Sequence, residues 1–401
     1  MTKSCVIGLG YIGLPTAGLL AASGHTVVGV DVNEIVVGYI NSGKPHFEEK
    51  GLELLIAEQV AQGHLKASTT PEEADAFLII VPTPFIEADK SADMKYVQQA
   101  SKSIAPFLKE GNLVVLESTS ALGATRKDVM AVIYAQRPDL EGKLHFAFCP
   151  ERAIPGNTLF ELEHNDRVVG GIDAASTDVA VKYYQGFIKG EILPASEKTA
   201  EMVKLSENAF RDVNIAYANE LSIVCDKLGI NVWEVIKLAN HHPRVNILQP
   251  GPGVGGHCIA IDPWFIAAAA PQEARLITTA RQINDGKPAW VVSKVEQAVA
   301  ELNKKDVTVG LLGLAFKPNV DDLRESPSLS VAKLINEKVQ AKVIACEPYI
   351  KNHKDIELTT LESLLEKSDV IVMLTDHDAF KNITLAQLEG KKIVDTRGSF
   401  V

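Results

Sequence analysis

The stretch Lys3 to Asp31, KSCVIGLGYIGLPTAGLLAASGHTVVGVD, decides the fold. Lys3 to Leu9 is a short apolar run, Gly8, Gly10 and Gly13 form the turn GLGYIG, and a helix-compatible segment runs to Ser23, where Gly24 stops it. Thr26 to Val30 makes a second strand with Asp31 at its end. A glycine turn alone is a weak signal. The strand before it, the helix after it and an acid about 20 residues on mark a dinucleotide-binding unit. The first glycine makes the turn, the second lets a pyrophosphate approach, and the third lets helix and strand pack closely. The helix N-terminus, reached through Tyr11 and Ile12, offers amide donors and the positive end of a dipole. Asp31 accepts from ribose hydroxyls and repels a 2′-phosphate, so the expected cofactor is NAD rather than NADP. Pro15 suits a first helical turn, where its missing N–H costs nothing.

The alternation continues. Ala76 to Val81 closes on Pro82, Thr83 and Pro84; Met94 to Leu108 is helical; Leu113 to Leu116 closes on Glu117, Ser118 and Thr119; and Leu144 to Phe148 leads to Cys149, Pro150, Glu151 and Arg152. Strands alternating with helices imply a parallel sheet with ligands at the strands' carboxyl ends. Thr83 and Thr119 sit at such ends, either to cap a following helix or to touch a ligand. Glu151 is either a site carboxylate or half of a surface ion pair with Arg152.

From Glu197 to Leu228 the chain is free of Gly and Pro and reads as one long helix, with Lys204, Asn208 and Arg211 spaced along one face. A second helix is expected around Val232 to Asn240, ahead of His241, His242, Pro243 and Arg244. Gly251 to Asp262, GPGVGGHCIAID, has no core-building pattern. Its glycines Gly253, Gly255 and Gly256 let the main chain take unusual angles and come close to a ligand. Cys258 is therefore presented on a tight loop, where a nearby cation makes a thiol nucleophilic. Past Lys305 the first pattern partly returns. VTVGLLGLAF, AKVIACEPY, SDVIVMLTD and KKIVDTRG echo the four strand segments of the first half, with Gly310 and Gly313 but no third glycine. Lys317, Asp321, Asp322 and Arg324 follow instead, and Glu347 takes the position of the ribose acid, which leaves an adenosine-type half-site open. A nucleotide site that is not a dinucleotide site is the simpler inference.

The expected architecture is therefore two Rossmann-like, doubly wound parallel-sheet domains, 1–195 and 301–401, joined by a central helical domain, 196–300, with the long helix as a dimer surface. The composition agrees. In 401 residues, 46% hydrophobic and 23% charged residues describe a soluble chain of two or three domains. A net charge of −11 argues against nucleic-acid or anionic-membrane binding. No apolar run reaches the roughly 18 residues of a membrane span, and a cytoplasmic location is expected. Five widely spaced cysteines show no metal-type spacing, so neither a disulfide framework nor a metal site is expected.

Taken together, GLGYIGLP, VPTPF, ESTS, CPERAIPGN, NDRVVGG, TAEMVKLSENAFRDVNIAYANE, HPRVNILQPGPGVGGHCIAIDPWF and GLAFKPNVDDLRESP resemble the nucleotide-sugar 6-dehydrogenases, the family of UDP-glucose and GDP-mannose dehydrogenases. The resemblance covers essentially the whole chain. It implies Cys258 as nucleophile, Lys204 and Asn208 as its companions, and Asp262 as the group that activates water, with Thr119 and Glu151 lining the reacting centre. It also implies Lys317 and Arg244 on the nucleotide sugar, Arg324 on the cofactor, and Arg152, Arg211 and Gly255 near the substrate. Pro155 replaces a second Glu, and His257 a small residue, of the UDP-glucose enzymes. Both changes favour an N-acetylated hexosamine, and the expected reaction is NAD-dependent oxidation of UDP-N-acetyl-D-mannosamine at C6, serving surface polysaccharide synthesis. UDP-N-acetylglucosamine and UDP-glucose are the alternatives. Val36 stands where many members place an Arg. A 3-hydroxyacid dehydrogenase would need no presented cysteine, and a sensor that had lost turnover would not be expected to keep Cys258, Lys204 and Asp262.

Overall fold

The computed structural model describes residues 2–86, 88–153, 156–256 and 258–400. Its contacts divide the chain into two compact units, Met1–Ser206 and Glu207–Val401.

The first unit is built on an eight-stranded sheet of β1 (Lys3–Ile7), β2 (Thr26–Val30), β3 (Leu65–Ser68), β4 (Ala76–Ile79), β5 (Leu113–Leu116), β6 (His145–Phe148), β7 (Arg167–Gly171) and β8 (Ile192–Ser196). The order is β3-β2-β1-β4-β5-β6-β7-β8, and the first six strands are parallel. β7 runs antiparallel to β6, and β8 follows β7. Strand order reverses between β1 and β4, which puts a ligand crevice at their carboxyl ends. β4 and β5 are apolar along their whole length, and β1 and β2 are so beyond Ser4 and Thr26, because both faces are covered. Val6, Leu78 and Val115 pack beneath one layer, and Ile7, Phe77 and Phe146 beneath the other. The strand expected from Ala76 to Val81 stops at Ile79, and the Val81 amide turns to the Ser118 hydroxyl at 2.8 Å. The helix expected over 94–108 is Lys95–Ile104, tightened into a 3₁₀ turn, Ala105–Phe107, around Pro106.

Helix Glu197–Leu228 keeps the bounds the sequence gives it, beginning in the first unit and ending in the second. In the second unit it is followed by helices Val232–Ala239, Asp262–Ala269 and Arg275–Glu301. A parallel five-stranded sheet completes that unit: β9 (Thr308–Leu312), β10 (Lys342–Cys346), β11 (Glu357–Leu358), β12 (Val370–Met373) and β13 (Lys392–Asp395), in the order β11-β10-β9-β12-β13. The reversal between β9 and β12 repeats that between β1 and β4, so the returning sequence pattern is a second doubly wound sheet. No helix among the described residues is long and apolar enough to cross a membrane.

Candidate functional site

At the crevice of the first sheet the three glycines do different work. Gly8 has φ +94°, and a Cβ there would lie 2.1 Å from the Ile80 carbonyl oxygen. A Cβ on Gly13 would lie 1.8 Å from the Gly8 carbonyl oxygen, so this glycine is needed for strand and helix to pack. A Cβ on Gly10 would meet nothing within 4 Å. The open space lies where a pyrophosphate has to approach, and no side chain caps helix Gly13–Ala22 at Ile12. Tyr11 is exposed and packs on Phe47 with ring centroids 4.5 Å apart. Asp31, at the end of β2, accepts from the Leu9 amide (3.0 Å) and the Asn33 amide (2.9 Å) and is half-buried. These residues fit a dinucleotide. Val36 is buried in helix Glu34–Asn41 and belongs to the core. Thr83 caps no helix; its hydroxyl donates to the Thr119 carbonyl at 2.6 Å, tying the ends of two strands together.

Glu151 follows β6 and is half-buried, with Oε1 out of water and without a hydrogen-bond partner. Burial pushes its carboxyl up to about 7, against the opposing pull of Lys204 and Arg167. Lys204 is buried on the long helix, and its ammonium donates to the Glu151 carbonyl at 2.6 Å. Arg152 donates to the Asp166 carbonyl at 3.0 Å. Behind this strand end lies a polar cluster the sequence reading missed. Arg167, buried at the start of β7, donates to the Pro150 carbonyl at 3.2 Å, and Tyr184 donates to the buried Glu117. Burial pushes the Cys149 thiol beside them up to about 12, which makes it an inert core thiol. The only signal in the sequence was a charged residue heading the apolar run RVVGG.

In the second unit the cysteine loop is held by what it passes. A Cβ on Gly255 would lie 2.4 Å from the Glu325 carbonyl oxygen, and Gly256, at φ +83°, presses on the Phe316 ring. Cys258 is exposed, and its carbonyl accepts from the amides of Ile261 (3.1 Å) and Asp262 (2.8 Å). That turn feeds straight into helix Asp262–Ala269. Asp262 is buried in its first turn, and Asn208 of the long helix donates to Asp262 Oδ2 at 2.5 Å. Thiol and carboxylate thereby share one short piece of backbone, and the amide reaches the carboxylate from the long helix. Pro155 and His257 lie outside the described residues.

Four basic candidates of this unit are placed differently. Lys317 stands 5.7 Å from the Phe316 ring centroid, on the same ring that Gly256 touches. Arg324, expected on the cofactor, forks onto Asp322, with Nε 2.8 Å and Nη2 2.6 Å from its carboxylate oxygens. Arg211 and Arg244 are exposed. Glu347 occupies the position of Asp31 in the second sheet but is buried, accepting from the amides of Leu314 (2.7 Å), Ala315 (3.0 Å) and Tyr349 (3.2 Å) and pairing with His377 (3.1 Å). It is a structural staple. Cys5, Cys149, Cys225 and Cys346 are buried free cysteines, and among the described residues no group of His, Cys, Asp and Glu gathers as a metal site.

Three profiles of the UDP-glucose/GDP-mannose dehydrogenase family match the chain in order: the NAD binding domain at residues 2–188, the central domain at 198–286 and the UDP binding domain at 310–400. The UDP-N-acetyl-D-mannosamine dehydrogenase of Salmonella typhi is 50% identical over 99% of both chains. An NDP-N-acetyl-D-galactosaminuronic acid dehydrogenase of Ralstonia nicotianae is 49% identical over 98% of this chain and 95% of that one. Among solved structures, the UDP-N-acetyl-mannosamine dehydrogenase of Staphylococcus aureus superposes with a TM-score of 0.87 at 41% identity, covering 100% of this chain and 95% of that one.

Proposed function

The chain belongs to the UDP-glucose/GDP-mannose dehydrogenase family, an NAD-dependent nucleotide-sugar dehydrogenase, and from that premise we propose that it oxidises the C6 alcohol of UDP-N-acetyl-D-mannosamine to the uronate. The observation that carries the reading is the exposed Cys258 thiol on its glycine loop, with Asp262 and its Asn208 partner one turn on. Removing a hydride and a proton from the alcohol gives an aldehyde, and an aldehyde has no alkoxide to expel a second hydride. Cys258 adds to it, forming a thiohemiacetal that is oxidised to a thioester, and water then cleaves the thioester to carboxylate and free thiol. Bound NAD supplies hydride acceptance in both oxidations. With one dinucleotide fingerprint in the chain, two NAD are used in turn.

Lys204 offers a positive charge to the developing oxyanion, and Asn208 a neutral donor to the same oxygen. Glu151, which burial makes a weaker acid that can hold or release a proton near neutral pH, or Asp262 takes the proton of the attacking water. Gly8, Gly10 and Gly13 with Tyr11, Ile12 and Asp31 hold the cofactor, and Thr83, Thr119 and Arg324 are assigned to it. Lys317, Arg244, Arg152, Arg211 and Gly255 are assigned to the sugar nucleotide. Residues 1–195 form the cofactor domain, 196–300 the central domain and 301–401 the nucleotide-sugar domain. The enzyme is assigned to the cytoplasm, which the buried free cysteines Cys5, Cys149, Cys225 and Cys346 support. A homodimer through the long helix is supported by Phe210, Tyr217 and Val224, exposed at seven-residue spacing along one stripe.

The near-equal identities to the mannosamine and galactosaminuronic acid enzymes favour a second reading at the sugar, the N-acetylgalactosamine nucleotide. Side-by-side assays on UDP-N-acetylmannosamine, UDP-N-acetylgalactosamine, UDP-N-acetylglucosamine and UDP-glucose decide it. Two NADH form per sugar consumed, and Cys258→Ser slows thioester formation by orders of magnitude with NAD affinity largely intact. One NADH per sugar, or full turnover in that variant, refutes the mechanism.

A further inference from the structure

The cysteine loop is anchored at its first residue by a buried relay of side chains. Gly251 N–H donates to Asn219 Oδ1 at 2.9 Å; Asn219 Nδ2 donates to Asn284 Oδ1 at 2.8 Å; and Asn284 Nδ2 donates to Asp212 Oδ1 at 2.8 Å and to the Asp212 carbonyl at 3.1 Å. Arg281 Nη1 completes the chain on Asp212 at 2.5 Å. Asp212 and Asn219 are wholly buried, and Asn284 and Arg281 are 1% exposed. The relay has a direction. A peptide N–H only donates and an ionised carboxylate only accepts. Asp212 therefore obliges Asn284 to present its amino group on one side and its carbonyl on the other. Asn284 in turn sets Asn219 so that a carbonyl oxygen faces the Gly251 amide. Flipping either amide would bury unpaired donors and acceptors, which costs far more than a surface hydrogen bond. The loop then passes close over the same helix. A Cβ on Gly253 would lie 3.2 Å from the Asn284 carbonyl oxygen and 3.4 Å from Pro288 Cδ.

We propose that Asn219, its amide set by Asn284 and by the Asp212–Arg281 pair, is a positioning residue that fixes the path of residues 251–256 and so the placement of the Cys258 thiol. It touches no reacting atom. The inference rests on Cys258 as the nucleophile. The relay predicts a compensation that packing alone does not. Asn284→Asp sets two carboxylates against each other and breaks the chain. Adding Asp212→Asn exchanges carboxylate and amide, so that position 284 accepts from both neighbouring side chains and the repulsion that displaces it, and with it Asn219, is relieved.

The test uses the full-length chain and reads two quantities: kcat for NADH formation with whichever nucleotide sugar is turned over, and the rate at which iodoacetamide alkylates Cys258, followed on the Cys258 peptide by mass spectrometry. Asn219→Ala and Asn284→Asp each lower kcat by about tenfold or more and change the alkylation rate by at least about threefold, while NAD affinity holds. The Asp212→Asn/Asn284→Asp exchange returns both readouts to within about threefold of wild type. Wild-type alkylation and kcat in folded Asn219→Ala overturn the proposal. So does an exchange that recovers neither readout, and if Asn219→Ala does not fold, the exchange alone decides. Full turnover in Cys258→Ser would remove the nucleophile reading instead, and the alkylation rates would still report whether the relay places the thiol.

Discussion

Glu151 carries the most direct test of the site's electrostatics. Its Oε1 is out of water and without a partner, and burial lifts the carboxyl from its ordinary 4.5 to about 7 although Lys204 and Arg167 pull the other way. If Glu151 takes a proton in the reaction, the ionised fraction is about one tenth at pH 6 and about nine tenths at pH 8, so kcat/KM rises about tenfold over that interval. A carboxyl in water would instead be fully ionised across it and give a flat profile. The same shift sets the sign of a stability effect. A carboxyl held above its unfolded value adds stability that is complete below about 4.5 and is lost as pH rises through about 7. At ~1.4 kcal/mol per pH unit the loss reaches at most about 3.5 kcal/mol, and the residue's remaining exposure reduces this to about 1–2 kcal/mol. The assay is initial NADH formation at low nucleotide-sugar concentration from pH 5.5 to 9, for wild type and for Glu151→Gln, which keeps the shape and removes the titration. The limb near pH 7 disappears in the variant, and its thermal stability gains on wild type between pH 5 and pH 8. A limb near 7 that survives Glu151→Gln, or a wild-type profile flat across pH 6 to 8, refutes the assignment.

Gly10→Ala leaves folding and melting temperature unchanged, because a Cβ there meets nothing, yet weakens NAD binding measured by calorimetry; Gly13→Ala, whose Cβ would lie 1.8 Å from the Gly8 oxygen, lowers stability itself. Equal NAD affinity in wild type and Gly10→Ala would remove the phosphate role of that gap. Phe210→Glu with Tyr217→Glu turns a dimer into a monomer in sedimentation equilibrium, and an unchanged mass refutes the stripe as interface. Lys287 is buried at 2% exposure, donates to Ser222 and stands 3.8 Å from the Trp290 ring centroid, and burial lowers its ammonium from 10.5 to about 7. A base held below its unfolded value costs stability in full below about 7 and progressively less as pH rises toward 10.5, by up to about 5 kcal/mol. Lys287→Met therefore melts higher than wild type at pH 6, with a gap that narrows toward pH 10, and a gap independent of pH would show that the lysine is not titrating there.

The elements that sequence made legible are those whose pattern is local. Helix Glu197–Leu228 needed only a run without Gly or Pro, and β4, β5 and the parts of β1 and β2 beyond Ser4 and Thr26 are apolar because each is covered on both faces. Those missed are decided by what they pack against. β8, ILPAS, contains Pro194 and is only half-buried; it is a strand because an edge position spares Pro194 the N–H it lacks. Helix Arg275–Glu301 carries Gly286 and Pro288 inside it, the usual signs of a break. Residue 288 offers no N–H to the Asn284 carbonyl one turn back, and that carbonyl faces the cysteine loop at Gly253. The local defect coincides with the place where the loop must come close.

Asp31 and Glu347 show where reading by position fails. Each follows the second strand of a doubly wound sheet, and in sequence each is an acid at the position of a ribose ligand. What separates them is the acceptor capacity already used. Asp31 is half-buried and takes one amide on each oxygen, from Leu9 and Asn33, which leaves lone pairs for hydroxyl donors. Glu347 is buried, and one oxygen alone receives the Leu314 amide, the Ala315 amide and His377 Nε2. His377 Nδ1 in turn accepts the Asn319 amide, so the acid braces the segment that carries Lys317 rather than presenting itself to a ligand. An acid at the same topological position thus keeps acceptor capacity in one sheet and spends it on the fold in the other. The difference is set by long-range partners: a histidine 30 residues away and two amides more than 30 residues away in the chain.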